Sequence, residues 1–253
     1  MDTTRRPGNA PVQKQGLEAE DTSFLVDMAG SGLEDISSNE MSQAYLAMVQ
    51  PGSSAESDDN KAGTWRNSAT GRNYGNVVRV IPVAFRTIWN ERSSEPPYST
   101  IANYAPNSIE VEIKQPPKGQ RGFAKMYNKE SGNEIKELYI YAVVLPDFPE
   151  DGVLYFNPTV SSMRACKSWN TQLKQQLLPN GVQAPIFGFS WQLVTELIQN
   201  PKQANLKIAV LSKIVKDVIT DKDTFTNSIS PQLSTVRTNV LQVGVDSSAT
   251  EEE

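Results

Sequence analysis

Hydrophobic and polar positions along the chain follow short β-type patterns over most of its length. Residues 64–75 place small polar residues and Gly71 between two short segments that contain aromatic residues, a pattern typical of a β-hairpin. The run 77–89 is apolar at most positions and rich in Val and Ile, so it predicts a strand covered on both faces. Because proline cannot donate to a strand ladder, Pro82 predicts a bulge or an edge position.

Five further segments predict strands, because they alternate apolar with polar residues or are rich in β-branched and aromatic side chains: 109–113, 138–145, 153–156, 185–198 and 205–215. The last segment also fits a helix, since Leu206, Val210 and Ile214 lie at helical spacing. We interpret it as a strand. The rest of residues 91–133 carries paired prolines, glycines and basic side chains, which predicts long basic loops.

Three segments predict helices. The apolar residues of 166–177 lie on one helical face, and Pro, Asn and Gly follow them as a stop signal. A capping-box pattern at 37–40 precedes helically spaced apolar residues and predicts a short helix that ends before Pro51. Ser230 and Pro231 predict the cap and first residue of a final helix that continues through Val240.

The order of these elements predicts the fold class and the domain organisation. Several strands with one helix inserted after a central strand predict a mainly β fold, an OB-like five-stranded barrel with an inserted helix, long loops and disordered termini. An immunoglobulin-like sandwich is the alternative. We predict a disordered N-terminal tail at 1–22, a short helix and loop at 23–63, an OB-like nucleic-acid-binding domain at 64–243, and an acidic C-terminal tail at 244–253.

Composition excludes several kinds of chemistry. The 253 residues include no His and a single cysteine, Cys166, so the chain lacks a Ser-His-Asp or Cys-His nucleophile and a His-bearing zinc site. A lone cysteine also forms no intrachain disulfide, and we expect a reduced, intracellular protein. No apolar run approaches the roughly 20 residues of a membrane-spanning helix, so we expect no contact with a membrane.

Charge is distributed unevenly along the chain. Residues 1–59 carry a net charge of −8, residues 60–240 carry 21 basic and 14 acidic side chains and a net charge of +7, and residues 241–253 carry −4. A basic body between acidic ends favours a domain that binds a polyanion, with the ends repelling that polyanion or competing with it. Acidic ends that only increase solubility are the simpler alternative.

Aromatic and basic residues are interleaved through this basic body. Single-stranded nucleic acid is bound by such a combination, because bases stack on aromatic rings while Lys and Arg contact phosphates. The candidate phosphate-binding residues are Arg79, Arg86, Arg92, Lys118, Arg121, Lys125, Lys129 and Lys167, and the candidate stacking residues are Trp89, Tyr98, Phe123 and Tyr127. The alternating stripe Phe187, Phe189 and Trp191 is interpreted as core instead. The sequence therefore favours binding over catalysis, with no cofactor.

Three segments together resemble a group of tailed-phage proteins. They are residues 45–50, the hairpin turn 67–71 before the long Val/Ile strand, and the run 219–225 after the segment 205–208. The group is that of phage single-stranded DNA-binding proteins of OB-fold type, and the resemblance extends over residues 33–230. The acidic end Glu251–Glu253 is similar in character to the tails with which such proteins occupy the empty DNA groove and contact replication proteins.

This resemblance implies a sequence-independent single-stranded DNA-binding protein that supports phage DNA replication or recombination in the host bacterial cytoplasm. The implied partners are single-stranded DNA and, through the acidic tail, phage replication or recombination proteins. The sequence leaves open whether the chain forms a homo-oligomer, because exposed edge strands can pair between subunits. It also leaves open the choice between DNA and RNA, since recognition of the 2′-hydroxyl leaves no trace in residue counts.

Two other functions remain compatible with the sequence. Glu112 and Lys114 form a Glu-x-Lys pattern at the end of a strand, which a Mg²⁺-dependent nuclease uses to hold the metal and polarise water. Alternating Glu and Lys are also common on a solvated strand, and the upstream candidates Glu91 and Glu95 fall in a Pro- and Ser-rich loop. A non-enzymatic virion-associated or host-takeover interaction protein is the other alternative.

Overall fold

A computed structural model describes residues 43–95, 99–116, 124–200, 203–233 and 236. Two α-helices occur in these residues, α1 (Met163–Gln175) and the single turn α2 (Lys222–Thr224). Eleven strands occur in the same residues: β1 (Leu46–Met48), β2 (Trp65–Asn67), β3 (Asn73–Gly75), β4 (Val77–Arg92), β5 (Thr100–Tyr104), β6 (Val111–Lys114), β7 (Lys125–Asn128), β8 (Glu134–Val144), β9 (Val153–Phe156), β10 (Phe189–Asn200) and β11 (Gln203–Ile219).

The strands form two sheets, and every pairing between two of these strands is antiparallel. A three-stranded sheet has the order β1-β2-β3, and an eight-stranded sheet has the order β11-β10-β4-β8-β7-β6, with β5 on β4 and β9 on β8. The long strands β4 and β8 pair along nearly their whole length. We call the part where they pair with β10 and β9 the lower half, and the part where they pair with β5 and β7 the upper half.

A β-bulge in β4 lies between these two halves. The register against β8 shifts between Pro82 and Ala84, as the position of the proline in the sequence predicts. Since successive side chains of a strand point to opposite faces, the extra residue changes which positions of β4 share a face. Val78 and Val80 below the bulge lie on the same face as Phe85 above it.

The two faces of the large sheet are covered differently. One face, here called the helix face, is covered by α1, and its core includes Tyr141, Trp169 and Trp191, each fully buried. Tyr141 stacks on Trp169 with ring centroids 4.7 Å apart, and Trp169 meets Trp191 edge-to-face at 6.0 Å. The other face, the back face, carries a second core in which Ile81 and Ile140 pack with Phe225, Ile229, Leu233 and Val236. Both cores lie mainly against the lower half.

Several expectations about elements are confirmed. The hairpin at 64–75 is β2 and β3, the run 77–89 lies within β4, and the segment 205–215 is part of a strand, not a helix. The helix predicted over 166–177 is α1, with Cys166 and Trp169 buried. Phe189 and Trp191 of the aromatic stripe are core residues, as expected.

Two expectations about elements are wrong. The helix predicted to end before Pro51 is the strand β1, because Leu46 is buried in the main core and its backbone pairs with β2; the capping-box residues 37–40 lie outside the described residues. The extent of loop predicted over residues 91–133 is too large, since β5 and β7 form there in addition to the strand expected near 109–113, which is β6. Tertiary pairing overrides weak local preference in both cases.

The mainly β fold is confirmed, whereas the five-stranded OB-like barrel is not. Among the described residues the large sheet runs openly from β11 to β6, and these two end strands do not pair with each other. The terminal tails predicted at 1–22 and 244–253 lie outside the described residues. The final helix begins as a 3-10 turn at Ser230–Gln232, and Leu233 and Val236 beyond it have helical backbone.

Candidate nucleic-acid interface

The strand register gathers basic residues on the back face of the upper half. Asn90 pairs with Lys136, Glu112 pairs with Tyr127, and Tyr127 pairs with Glu134, which places alternate residues of four strands on one face. The second core does not include these positions. We call this set the basic sheet surface: Arg92, Lys114, Lys125, Tyr127 and Lys136.

Two lysines face each other at the end of the β6–β7 hairpin. Lys114 lies directly opposite Lys125 in the register, and directly opposed like charges destabilise a strand pair. Each lysine has one carboxylate nearby: Lys114 lies 3.4 Å from Glu112, and Lys125 lies 3.5 Å from Glu134. Both lysine side chains are more than half exposed, so water and salt screen these ion pairs and make them weak. An anion placed between the lysines would be attracted by both.

Tyr127 is the aromatic residue of the basic sheet surface. It is half-buried, and the Lys114 Nζ atom lies 5.1 Å from the centroid of its ring. Such a cation above the ring face is attracted by the π system and holds both side chains in place. A base that stacks on this ring face must first displace Lys114.

Arg92 is anchored to the sheet beside this aromatic centre. Its Nε atom donates a 2.9 Å hydrogen bond to the Oδ1 atom of Asn90, and the Asn90 amide in turn donates to Thr100 and Asn103 of β5. The guanidinium therefore has a fixed position while Arg92 remains exposed. A guanidinium held in this way can contact a phosphate through its remaining donors.

A buried carboxylate lies below the interface, on the helix face of the upper half. Glu91 is only 1% exposed, and four side chains donate hydrogen bonds to it: Ser131 at 2.5 Å, Tyr104 at 2.6 Å, Asn133 at 2.7 Å and Asn128 at 2.9 Å. These donors come from β5, from the end of β7 and from the turn before β8. Glu91 thus links the strands of the basic sheet surface to one another by hydrogen bonds on the opposite face of the sheet.

The hydrogen bonds determine how this carboxylate titrates. Burial raises the pKa of Glu91, but hydrogen bonds from Ser131, Tyr104 and Asn133 to the charged form outweigh burial and leave the pKa below its usual value. Burial and the hydrogen bond to Glu91 raise the pKa of Tyr104 to about 12. Glu91 is therefore ionised and Tyr104 is a neutral donor at neutral pH.

The structure separates the residues that the sequence assigned to one site. Arg92, Lys125 and Tyr127 lie together on the basic sheet surface. Arg86 lies farther along β4, opposite Ile140 of the second core. Arg79 lies in the lower half, where it forms ion pairs with Asp147 and Asp217. The Lys129 amine donates to the backbone carbonyl of Ile109 beside the sheet. Tyr98, Lys118, Arg121 and Phe123 lie outside the described residues.

Two assigned residues lie on the helix face instead. Trp89 is 8% exposed and packs with Val111 and Ile135, so in this conformation its ring has no free face for a base. Its role in the structure is packing. Lys167 extends from α1 and lies 3.6 Å from Glu137, on the side of the sheet opposite to Tyr127.

The expected site omitted Lys114 and Lys136, both of which lie on the basic sheet surface. Their signal in the sequence was alternation: Lys114 shares a strand face with Glu112, and Lys136 follows the apolar residue Ile135. Alternation shows that a lysine faces away from the core, but only the register shows which other side chains it meets.

The geometry expected of a nuclease is not assembled here. Glu112 lies on the back face beside Lys114, whereas the upstream Glu91 lies on the helix face with its carboxylate occupied by four neutral donors. In the described part of the chain, no three His, Cys, Asp or Glu side chains cluster closely enough to ligate a metal. In the same part, no helix has the length and apolar composition needed to cross a membrane.

The described part of the chain is thus a mainly antiparallel β protein with a basic, aromatic-centred surface on an uncovered part of its sheet. The sequence matches the family model of the Pam3 phage gp34-like proteins over residues 13–230, and the chain belongs to that phage protein family. No curated protein and no solved structure matches the chain.

Proposed function

We propose that this protein binds single-stranded DNA without sequence preference, and that the DNA backbone lies across the basic sheet surface. The observation that carries the proposal is the register that brings Arg92, Lys114 and Lys125 around Tyr127 on a face that the described residues leave uncovered. Cations that neutralise phosphates release condensed counterions, and this supplies most of the affinity in sequence-independent binding. Direct base recognition is not required.

The preference for single strands follows from Tyr127. A base must leave its duplex before it can stack on a side chain, and one such stacking contact contributes about 1 to 3 kcal/mol. The loop that connects Lys114 to Lys125 also carries Lys118, Arg121 and Phe123 in its sequence. The sequence between these two lysines thus repeats the same combination of cations and an aromatic residue.

Membership in a phage family gives this binding a biological setting. The protein would coat single strands produced during phage DNA replication or recombination in the host bacterial cytoplasm, without a cofactor and without catalysing a reaction. The acidic segment 244–253 would modulate DNA binding and contact phage replication or recombination proteins, because its negative charge is complementary to the basic sheet surface.

A titration of labelled oligonucleotides tests the proposal. Fluorescence anisotropy would be measured with an oligo-dT of about 30 nucleotides and with its duplex, at low and moderate salt with EDTA. We expect tight, salt-sensitive binding of the single strand alone, and weaker binding by R92E/K125E. The control K61E/K222E changes two exposed lysines outside this surface by the same total charge. Absence of binding by the full chain and by a chain without residues 244–253 would overturn the proposal.

A non-enzymatic interaction protein remains the second candidate, and one observation favours it. Leu197 and Leu206, near the end of the β10–β11 hairpin, are 42% and 53% exposed. The register places these two side chains on opposite faces of the hairpin, so both faces expose a large apolar side chain that a partner protein would cover. This candidate predicts that neither the single strand nor the duplex binds in the same titration.

A further inference from the structure

The outer side of α1 is a second basic surface. The exposed residues of this helix are all polar, and three of them are the cations Arg164, Lys167 and Lys174, while α1 contains no acidic residue. Lys216 of β11 lies next to the C-terminal end of the helix. We call these four residues the helix surface.

The packing of α1 explains why its cations face outward. Cys166 and Trp169 are fully buried against the sheet, so the residues on the other side of the helix point to solvent. Lys216 is fixed beside them, since its Nζ atom donates a 2.6 Å hydrogen bond to the Oε1 atom of Gln176 and lies 3.8 Å from the ring centroid of Phe189. The acidic residue that pairs with this surface is Glu137, 3.6 Å from Lys167.

The helix surface and the basic sheet surface lie on opposite sides of the sheet. The lysines of β6 and β7 project from the back face, whereas α1 packs on the helix face through Trp169. The sheet and the helix layer, itself about 10 Å in diameter, separate the two sets of cations. A straight segment of DNA that lies on one set therefore does not contact the other set.

We infer that the helix surface binds a second segment of single-stranded DNA, so that one chain holds two strands on opposite sides of its sheet. The inference rests on the proposed function. Charge complementarity favours this occupant, and the remaining exposed side chains of α1, which include Ser168 and Thr171, are donors of the kind that contact phosphates. Because no aromatic residue is among the exposed residues of α1, this surface contacts the backbone and leaves the bases free to pair.

Two strands held by one protein have a functional consequence. A strand whose bases remain free can pair with a complementary strand brought close by the same molecule or by its neighbour. The protein then accelerates annealing of complementary strands, which is an activity beyond coating a single strand.

Counting bound oligonucleotides tests the inference directly. Native mass spectrometry of the full chain with an 8-nucleotide oligo-dT would give the number bound per chain, within the site sizes of about 4 to 16 nucleotides known for single-strand binders. We expect two for the unmodified protein, one for R164E/K174E, one for R92E/K125E, and two for the control K61E/K222E. We also expect R164E/K174E to reduce the salt dependence of binding by about 1.4, at about 0.7 per lost phosphate contact.

The outcomes separate this inference from the proposed function. No bound oligonucleotide would overturn both. One oligonucleotide per unmodified chain, unchanged in R164E/K174E, would overturn the second surface and leave the proposed function intact. A peptide of residues 244–253 that binds the unmodified chain but not R164E/K174E, with oligonucleotide numbers unchanged, would assign the helix surface to an acidic peptide and overturn the inference. Loss of strand annealing in R164E/K174E, but not in K61E/K222E, would support it.

Discussion

The hydroxyl of Tyr104 donates a 2.6 Å hydrogen bond to the carboxylate of Glu91 and joins β5 to β4 behind the basic sheet surface. The same carboxylate accepts hydrogen bonds from the turn that connects β7 to β8. A buried charge without a cationic partner is stable only when hydrogen bonds replace its lost hydration. Glu91 therefore fixes the relative positions of strands that carry the interface.

Replacement of Glu91 should lower the stability of the folded chain. The substitution Glu91→Gln replaces one accepting carboxylate oxygen with an NH2 group, which is itself a donor and faces other donors. We expect a loss of about 1 to 3 kcal/mol in the free energy of unfolding. Glu91→Ala leaves four donors without an acceptor, and we expect a loss of about 3 to 5 kcal/mol. Urea denaturation measures both. The control Glu95→Gln, at an exposed position, should change the free energy by less than about 0.5 kcal/mol; equal effects at both positions would contradict this role.

The same carboxylate should make stability depend on pH in the acidic range. The pKa of Glu91 in the folded chain lies below its ordinary value, so the unfolded chain takes up the proton first as the pH falls. The stabilisation is fully present above the unfolded pKa of about 4.3 and is lost as the pH falls through the lower folded pKa. Denaturation of the unmodified chain and of Glu91→Gln between pH 3 and 7 should show the difference between them shrinking below about pH 4. A constant difference would contradict the shift.

Trp89 and Tyr127 should respond oppositely to substitution, because one packs in the core and the other lies at the interface. Trp89→Phe should reduce stability by about 1 to 2 kcal/mol and leave DNA affinity nearly unchanged. Tyr127→Ala should weaken single-strand binding by about 1 to 3 kcal/mol, which is roughly 5-fold to 150-fold. Anisotropy titrations on fully folded variants would measure this. An equal loss of affinity in both would show that Trp89 also contacts DNA.

Periodicity predicted elements well where one face is buried, and it predicted the site only in part. The apolar face of α1 and the β-branched run of β4 were readable because burial repeats at the period of the element. Trp89 and Arg92 are three residues apart in one strand, so the period of two already placed them on opposite faces. Which of these faces α1 covers was not readable, since that depends on the bulge at Pro82 and on the partner strand. The expected helix before Pro51 is a strand because its pairing partner β2 is distant in sequence.

Cys166 should be nearly unreactive in the folded protein. The thiol lies on the side of α1 that faces the sheet and is fully buried. Burial raises its pKa to about 12, so the reactive thiolate is scarce at neutral pH. A thiol-specific reagent should label the native chain slowly and should label one thiol per chain at once in denaturing urea. Labelling rates at intermediate urea would follow the opening of the helix face core. Complete labelling of the native chain within minutes would contradict the burial of this residue.

Removal of residues 244–253 should tighten DNA binding. The segment carries four acidic side chains, and Val236 packs in the core of the back face, on the side of the sheet that carries the basic sheet surface. The 15 residues from Val236 to Glu251 can extend about 50 Å at about 3.3 Å per residue, which exceeds the length of the upper half. A chain in which Asp246 and Glu251–Glu253 are changed to Asn and Gln keeps the length and removes the charge. Equal tightening in the truncated and neutral chains at low salt would identify charge as the cause, whereas unchanged affinity in both would exclude competition by the tail.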